Sequence, residues 1–325
     1  MTQPKPVPRI ALGYTPSPLQ RLERLSDHLG VEFWMKRDDL TGDVGLGGNK
    51  VRKLEYLLAE ALAQGATHVL TTGGPQSNHA RATAAACARL GLGCVLVLAG
   101  QDPGNRTGNL LLDELFGAEI RFPGAATPED QARYLAEAAA ELEAQGARPY
   151  IIALGGSVPL GVLGPYHCYA EIARALPGDA WICSATGSGG TQAGLILGAA
   201  VYGKAVRVQG FSVWQPASVL APLTADLVQG AAALAGQSAL VGAAGSLAVH
   251  VDDGYLAPRY GKASPAGLEA IGLVARLEGI VLDHIYTGKA MAGVLDYIRR
   301  GVIGPGERVV FVHTGGAPAV FAGMS

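Results

Sequence analysis

Residues 45–58 read GLGGNKVRKLEYLL, and the rest of the chain is read outward from this stretch. A turn of glycine and asparagine runs directly into a helical pattern that predicts a helix over 51–64, opening near Asn49. Lys50, Arg52 and Lys53 crowd its first turn. Helix starts favour acidic side chains, because the N-terminal end of the dipole is positive. These cations are therefore either solvated surface charges or groups facing an anion. Lys50 and Lys53 are three residues apart and so neighbours on one helix face. Lys53 is suited to neutralise an anion. Lys50 is suited to act as a nucleophilic amine, since lysine forms Schiff bases with carbonyls once burial or a nearby cation depresses its pKa. Arg52 points elsewhere and has no such role.

Outward from this helix, short apolar runs alternate with longer Ala/Leu-rich helical patterns. Strands are predicted at 31–36, 67–73, 94–100, 118–122, 150–155, 180–185, 206–213 and 308–316, and further helices at 78–91, 128–145, 191–202, 265–279 and 288–300. This alternation predicts an α/β chain of parallel sheets covered on both faces by helices. Eight strands divide naturally into two lobes. Polar, glycine-rich connections near 41–49 and 155–165 place a small lobe, residues 50–159, as an insertion in a larger one, residues 1–49 and 160–325.

Composition narrows the function classes. Hydrophobic residues make up 49% of the 325 and charged residues 16%, enough apolar material for a large core. A net charge of −2 offers no footprint for nucleic acid or an anionic membrane. The Ala/Gly-rich run from Ser218 to Val249 comes nearest to a membrane span, but Asp226 and Gln229 interrupt it. The N-terminal segment lacks the apolar region of an export signal. Cys87, Cys94, Cys168 and Cys183 are scattered singletons, read as small hydrophobes in a reducing cytoplasm. No ligand spacing points to a metal.

Three further segments follow the order strand, glycine-rich turn, helix or chain end. CSATGSGGTQAG, residues 183–194, offers converging backbone N–H groups and the hydroxyls of Thr186, Ser188 and Thr191 at a helix start, a cup for a phosphate. It fails the dinucleotide fingerprint, because Gln192 stands where a third glycine is needed, and it lacks the Gly-Lys-Ser/Thr ending of a nucleotide loop. In TTGGPQSNHARA, residues 71–82, Ser77 or Asn78 is an N-cap, and the Gln76-Ser77-Asn78-His79 block is an array of polar groups. In VFVHTGGAPAVF, residues 310–321, Thr314 falls at a sheet's carboxyl edge. An aldehyde-binding lysine, a phosphate cup, a donor to a ring oxygen and a partner for a ring nitrogen together point to pyridoxal 5'-phosphate.

The segments GGNKVRKLEYL, GGPQSNHARATAA, GSGGTQAGL, YTGKAMAGV and HTGGAPAVF resemble the D-cysteine desulfhydrase and 1-aminocyclopropane-1-carboxylate deaminase family, within the fold type II (tryptophan synthase β-like) pyridoxal phosphate enzymes. The resemblance runs from about Pro16 to Phe321. It implies that Lys50 is the Schiff-base lysine, Lys53 a phosphate partner and Asn78 the contact to the ring hydroxyl. It assigns Thr186, Gly187, Ser188, Gly189, Gly190 and Thr191 to the phosphate loop and Thr314 to the ring nitrogen. Ser77, Asn78, His79, Gly156 and Tyr286 are assigned to substrate, and Tyr260 and Tyr286 to the active site. A homodimer with the cofactor between the lobes is also implied.

The implied reaction is α,β-elimination on a small β-sulfur amino acid. Thr287 and Thr314 stand where the deaminases carry glutamate and leucine, which favours D-cysteine desulfhydrase. L-cysteate sulfo-lyase, the deaminase itself and a non-catalytic binding module are the alternatives. Tyr166, in an unusual VLGPYHCYAE segment, is expected near the substrate pocket.

Overall fold

The computed structural model describes residues 7–124, 127–239 and 248–323; residues 240–247 of the Ala/Gly-rich run lie outside them. Two sheets organise the chain. The larger contains β1 (Leu19–Arg21), β2 (Glu32–Arg37), β7 (Ala180–Thr186), β8 (Ala205–Ser212), β9 (His250–Asp252) and β10 (Arg308–His313), in the order β1-β2-β10-β7-β8-β9. The smaller contains β3 (His68–Gly73), β4 (Gly93–Leu98), β5 (Glu119–Arg121) and β6 (Pro149–Ile151), in the order β5-β4-β3-β6. Every pairing is parallel except that of β1 with β2. Parallel strands need crossover helices, which cover both faces, and β7 (AWICSAT) is accordingly buried at every position.

The helices sort onto four faces. In the larger sheet α1 (Glu23–Leu29), α9 (Pro265–Glu278) and α10 (Thr287–Arg299) close one core, around Phe33, Phe311 and Met291. On its other face lie α6 (Pro159–Ala175), α7 (Gly190–Tyr202) and α8 (Ala217–Leu234). The smaller sheet is covered by α2 (Lys50–Ala63), α3 (Asn78–Leu90) and α4 (Gly108–Leu115) on one face, and by α5 (Pro128–Ala144) on the other. Each fully buried Leu, Val or Phe in these cores contributes roughly 1.5–3 kcal/mol. The four cysteines are free and buried. By length and composition α8 could cross a membrane, with a mean hydropathy of 1.3, but it carries the exposed Asp226 and a third of it is buried in the fold.

Every predicted strand and helix is present to within a few residues, but several elements carried no readable signal. β1 and β9 have three residues each, too few for a period to emerge. Helix α6 begins at Pro159, inside the 155–165 segment expected to be a connection. Its glycines and Pro165 look like helix breakers, yet tertiary packing decides the outcome. A Cβ on Gly164 would sit 2.6 Å from the backbone carbonyl of Arg52, so the close crossing of α2 and α6 requires glycine there. Propensity is a weak prior against such packing.

That crossing explains Arg52. The guanidinium is 2% exposed and forks between two carboxylates, Asp38 at 2.9 Å and Glu171 at 2.7 Å. Lys36 meets Glu171 at 2.6 Å, and Ser17 donates to Asp38 at 2.7 Å. Two cations and two anions balance one another, so no charge is buried alone. Burial alone would raise the Asp38 pKa, but Arg52 overrides it and holds the carboxyl below its ordinary value. The cluster ties the end of β2, helix α2 and helix α6 together, two residues from Lys50. Arg52→Ala takes the ion-pair partner from Asp38 and leaves Glu171 with Lys36 alone, and is expected to lower unfolding stability by about 3–5 kcal/mol in urea titration. Arg52→Lys, which cannot bridge two carboxylates in bidentate fashion, should fall between the two.

Candidate active site

Strands β4 and β5 extend the small sheet to one side of β3 while β6 returns to the other. In the large sheet β8 and β9 lie to one side of β7 and β10 to the other. Each sheet therefore has a switch point, where ligands of open α/β sheets bind beyond the carboxyl ends of the strands. A cavity of about 270 Å³ opens there, lined by Gly73 at the end of β3, Gly74 just after it, Gly187 after β7 and Thr314 after β10.

Three helices start at this cavity. Helix α2 opens with Asn49 and Lys50 on the cavity wall, and α3 opens with Ser77, Asn78 and His79. Ser77 is the N-cap, its Oγ accepting from the backbone N–H of Ala80 at 3.2 Å. Helix α7 follows the loop Thr186–Thr191 and has no side-chain cap at Gly189. Its first-turn N–H groups and dipole give the loop a positive potential.

Lys50 Nζ lies 3.4 Å from Asn49 Oδ1. Burial, then the nearby Arg81 guanidinium, pushes its pKa down to about 8. Lys53 does not reach the cavity surface. It is fully buried behind the loop, donating to the Gly155 carbonyl and to Ser157 Oγ, both at 3.1 Å. Ser157 Oγ in turn lies 2.7 Å from Ser188 Oγ. A Cβ on Gly190 would stand 2.6 Å from Lys53 Nζ, so only glycine lets the ammonium approach the loop this closely. Burial, then Lys50, holds the Lys53 pKa well below its ordinary value. Among the described residues no carboxylate relieves either ammonium. This is a site built for an anion.

Around the rest of the wall, Asn49 Nδ2 donates to Thr191 Oγ1 at 2.9 Å, leaving the Thr191 hydroxyl proton available to the cavity. Thr186 donates instead to Gln192 Oε1 at 2.9 Å and anchors the loop to α7. The Tyr260 and Tyr286 hydroxyls are 2.5 Å apart, with Trp214 against Tyr260. Burial raises both tyrosine pKa values, so both stay protonated at neutral pH. Asp283 fixes Tyr286 from behind, accepting from its backbone N–H at 2.7 Å and from the Thr287 hydroxyl at 2.6 Å. Thr71 donates to the Ile152 carbonyl, so its oxygen accepts from His79 Nε2 at 2.9 Å. Burial, then Lys50 and Lys53, keeps that imidazole neutral.

Of the residues singled out from sequence, Lys50, Ser77, Asn78, His79, Tyr260, Tyr286, Thr314 and all of Thr186–Thr191 line one cavity. Gly156 does not. It is buried behind the wall near Leu57 and His79, and its neighbour Gly155, also buried, lines the cavity in its place. Tyr166 is also displaced: it packs on α6 against His167 and Tyr202, because its helix turns that face away from the cavity. Thr287 is fully buried on Asp283 rather than at the cavity. Sequence reasoning missed Asn49, Ser157 and Trp214. Asn49 could have been found as the residue preceding the lysine; Trp214 carried no local signal.

The donor set fits pyridoxal phosphate. Lys50 supplies the amine, while the Thr186–Thr191 loop with Lys53 behind it supplies the phosphate cup. Asn78 and Thr314 are available to the ring. The chain belongs to the family of pyridoxal-phosphate dependent enzymes, whose pattern matches residues 10–315. It is 44% identical over 325 residues to D-cysteine desulfhydrase of Salmonella choleraesuis (strain SC-B67), covering 97% of this chain and 96% of that protein. A solved structure described as an ACC deaminase homologue superimposes with a TM-score of 0.88 at 39% identity, covering 97% of this chain and 94% of the other. Threonine deaminase isoform 2 from Solanum lycopersicum shares the fold, with a TM-score of 0.65 at 21% identity over 92% of this chain and 79% of the other. The fold is that of the fold type II pyridoxal phosphate enzymes.

The depressed Lys50 pKa has a measurable consequence. Only the neutral amine attacks an aldehyde, so protein stripped of cofactor should capture free pyridoxal at a rate that rises with pH through a midpoint near 8. Arg81→Met removes a neighbouring cation and should move that midpoint upward.

Proposed function

We propose that this chain is a D-cysteine desulfhydrase, cleaving the Cβ–S bond of D-cysteine to give, with one water, pyruvate, sulfide and ammonia. The observation that carries the reading is the 44% identity to D-cysteine desulfhydrase along nearly the whole of both chains. Thr314 on the cavity wall adds to it, since the resemblance places leucine there in the deaminases.

Bound in this cavity, pyridoxal phosphate supplies a conjugated ring that takes up the electron pair left on an amino acid's α-carbon. The protein's part is positioning and proton handling. The substrate carboxylate is matched to the N-terminus of α3, where the backbone N–H groups of Asn78 and His79 begin the helix and Ser77 adds a hydroxyl. The phosphate is matched to the N-terminus of α7. Two anions thus meet two helix dipoles, with Lys50 on the wall of the same cavity. With a pKa of about 8, Lys50 is the group on the wall best tuned to remove the α-proton near neutral pH. Tyr260 and Tyr286 keep their protons and are suited to donate to the departing sulfur.

The same proposal includes a homodimer working in the cytoplasm on a small amino acid, with neither nucleic acid nor membrane as partner. Exposed Val219 and Leu223 on α8, with Tyr202 and Val206 nearby in sequence, are the kind of apolar surface a second copy would cover. Four buried, unpaired cysteines suit a reducing compartment.

The test is a substrate panel of D-cysteine, L-cysteine, L-cysteate, β-chloro-D-alanine and 1-aminocyclopropane-1-carboxylate. D-cysteine is expected to give pyruvate and sulfide in equal amounts and to have the highest kcat/KM of the sulfur substrates. Preferred release of sulfite from L-cysteate, or of 2-oxobutanoate from the cyclopropane acid, would replace this reading with one of its rivals. Lys50→Ala should reduce turnover of D-cysteine by roughly 10²–10⁴-fold.

A further inference from the structure

A group outside the cavity decides which end of the Asn78 amide faces inward. Asn109, near the start of α4, is fully buried and does not line the cavity. Its Nδ2 lies 2.9 Å from the backbone carbonyl of Gln76 and 2.8 Å from the terminal atom of Asn78. A backbone carbonyl only accepts, so the atom of Asn109 facing it must be the NH₂ group. That group has two hydrogens. One goes to Gln76, and the other requires an acceptor, which fixes the facing atom of Asn78 as Oδ1.

Gln76 is locked by the same logic. Its Nε2 donates to the Thr107 carbonyl at 2.9 Å, and its Oε1 accepts from the backbone N–H of Asn109 at 2.8 Å. Two backbone groups of opposite polarity therefore hold one side chain in one orientation. The relay runs from the backbone of α4 to the cavity with no freedom to flip an amide.

We infer that Asn109 is a positioning residue for the cofactor: by occupying Asn78 Oδ1 it turns Asn78 Nδ2 into the cavity, as a donor to the ring oxygen of pyridoxal phosphate. Asn109 Oδ1 has no hydrogen-bond partner among the described residues, so the side chain is held for what its NH₂ group does. A reversed Asn78 would present a carbonyl oxygen to a ring oxygen and repel it. The inference rests on the reading of Asn78 as the contact to that ring oxygen.

Asn109→Asp tests it, since the carboxylate has the same shape and no donor. Asn78 is then free to donate to the introduced carboxylate and to turn its own oxygen inward. The measurements are the dissociation constant for pyridoxal phosphate, followed by protein fluorescence, and the absorption maximum of the bound cofactor. In the otherwise intact chain Asn109→Asp is expected to weaken binding about tenfold, the scale of one lost hydrogen bond, and to shift the absorption band. In an Asn78→Ala background the same substitution should change the constant less than about twofold and leave the band in place.

Equal losses in both backgrounds would make Asn109 merely structural and overturn the proposal, as would no loss in the intact chain. Asn109→Ser, smaller and with a single donor, supports the same comparison if the carboxylate prevents folding. Asn78→Ala alone separates the two readings. If it leaves cofactor binding unchanged, the role of Asn78 itself fails. If it weakens binding while Asn109→Asp does not, only the relay fails.

Discussion

Positive potential without a counter-charge organises this molecule. Helices α2, α3 and α7 all begin at one cavity, and two ammonium groups, the half-buried Lys50 and the fully buried Lys53, lie beside them. Buried charges are normally paired, because removing them from water is expensive. Here no carboxylate among the described residues relieves either lysine, and the Lys50 and Lys53 pKa values fall instead. A dianionic phosphate and a substrate carboxylate are the natural complements. Binding and catalysis meet at Lys50, whose pKa burial, and then the Arg81 guanidinium, lowers to about 8.

Holding that field in place requires rigid neighbours, and the nearby polar clusters provide them. Arg52, on the same helix as both lysines, is compensated by Asp38 and Glu171 and pins α2 to α6. Asp283 fixes the backbone at Tyr286 and the start of α10. Gln76 and Asn109 fix the start of α3 against α4. In each case a side chain is held by several partners of fixed geometry, so the side chains facing the cavity have little freedom to rearrange. Stability and pre-organisation come from the same contacts.

Much of this was legible in the sequence, for a physical reason. Lys50, Ser77, Asn78, Thr186–Thr191 and Thr314 lie where a strand ends, glycine turns the chain or a helix begins, and those junctions are written locally. The cations at the start of α2 conflicted with helix-dipole preference, and the conflict marked the site. What was illegible depends on tertiary approach. Helix α6 was hidden by its glycines and Pro165, although Gly164 serves the crossing with α2 and Pro165 packs on Gly194 of α7. Arg52 read as surplus charge because its partners are 14 and 119 residues away. Trp214 and Asn109 act across the fold, and no local pattern announces them. Tyr166 was misplaced because an unusual segment does not reveal which way its helix faces.

The central claim is that Lys50, and no other lysine, carries the cofactor. Borohydride reduction of the holoenzyme, followed by proteolysis and mass spectrometry, tests it directly. The account predicts one phosphopyridoxyl group per chain, on the peptide containing Lys50. Labelling confined to Lys53, to Lys289 or to a surface lysine, or no stable label at all, would contradict it.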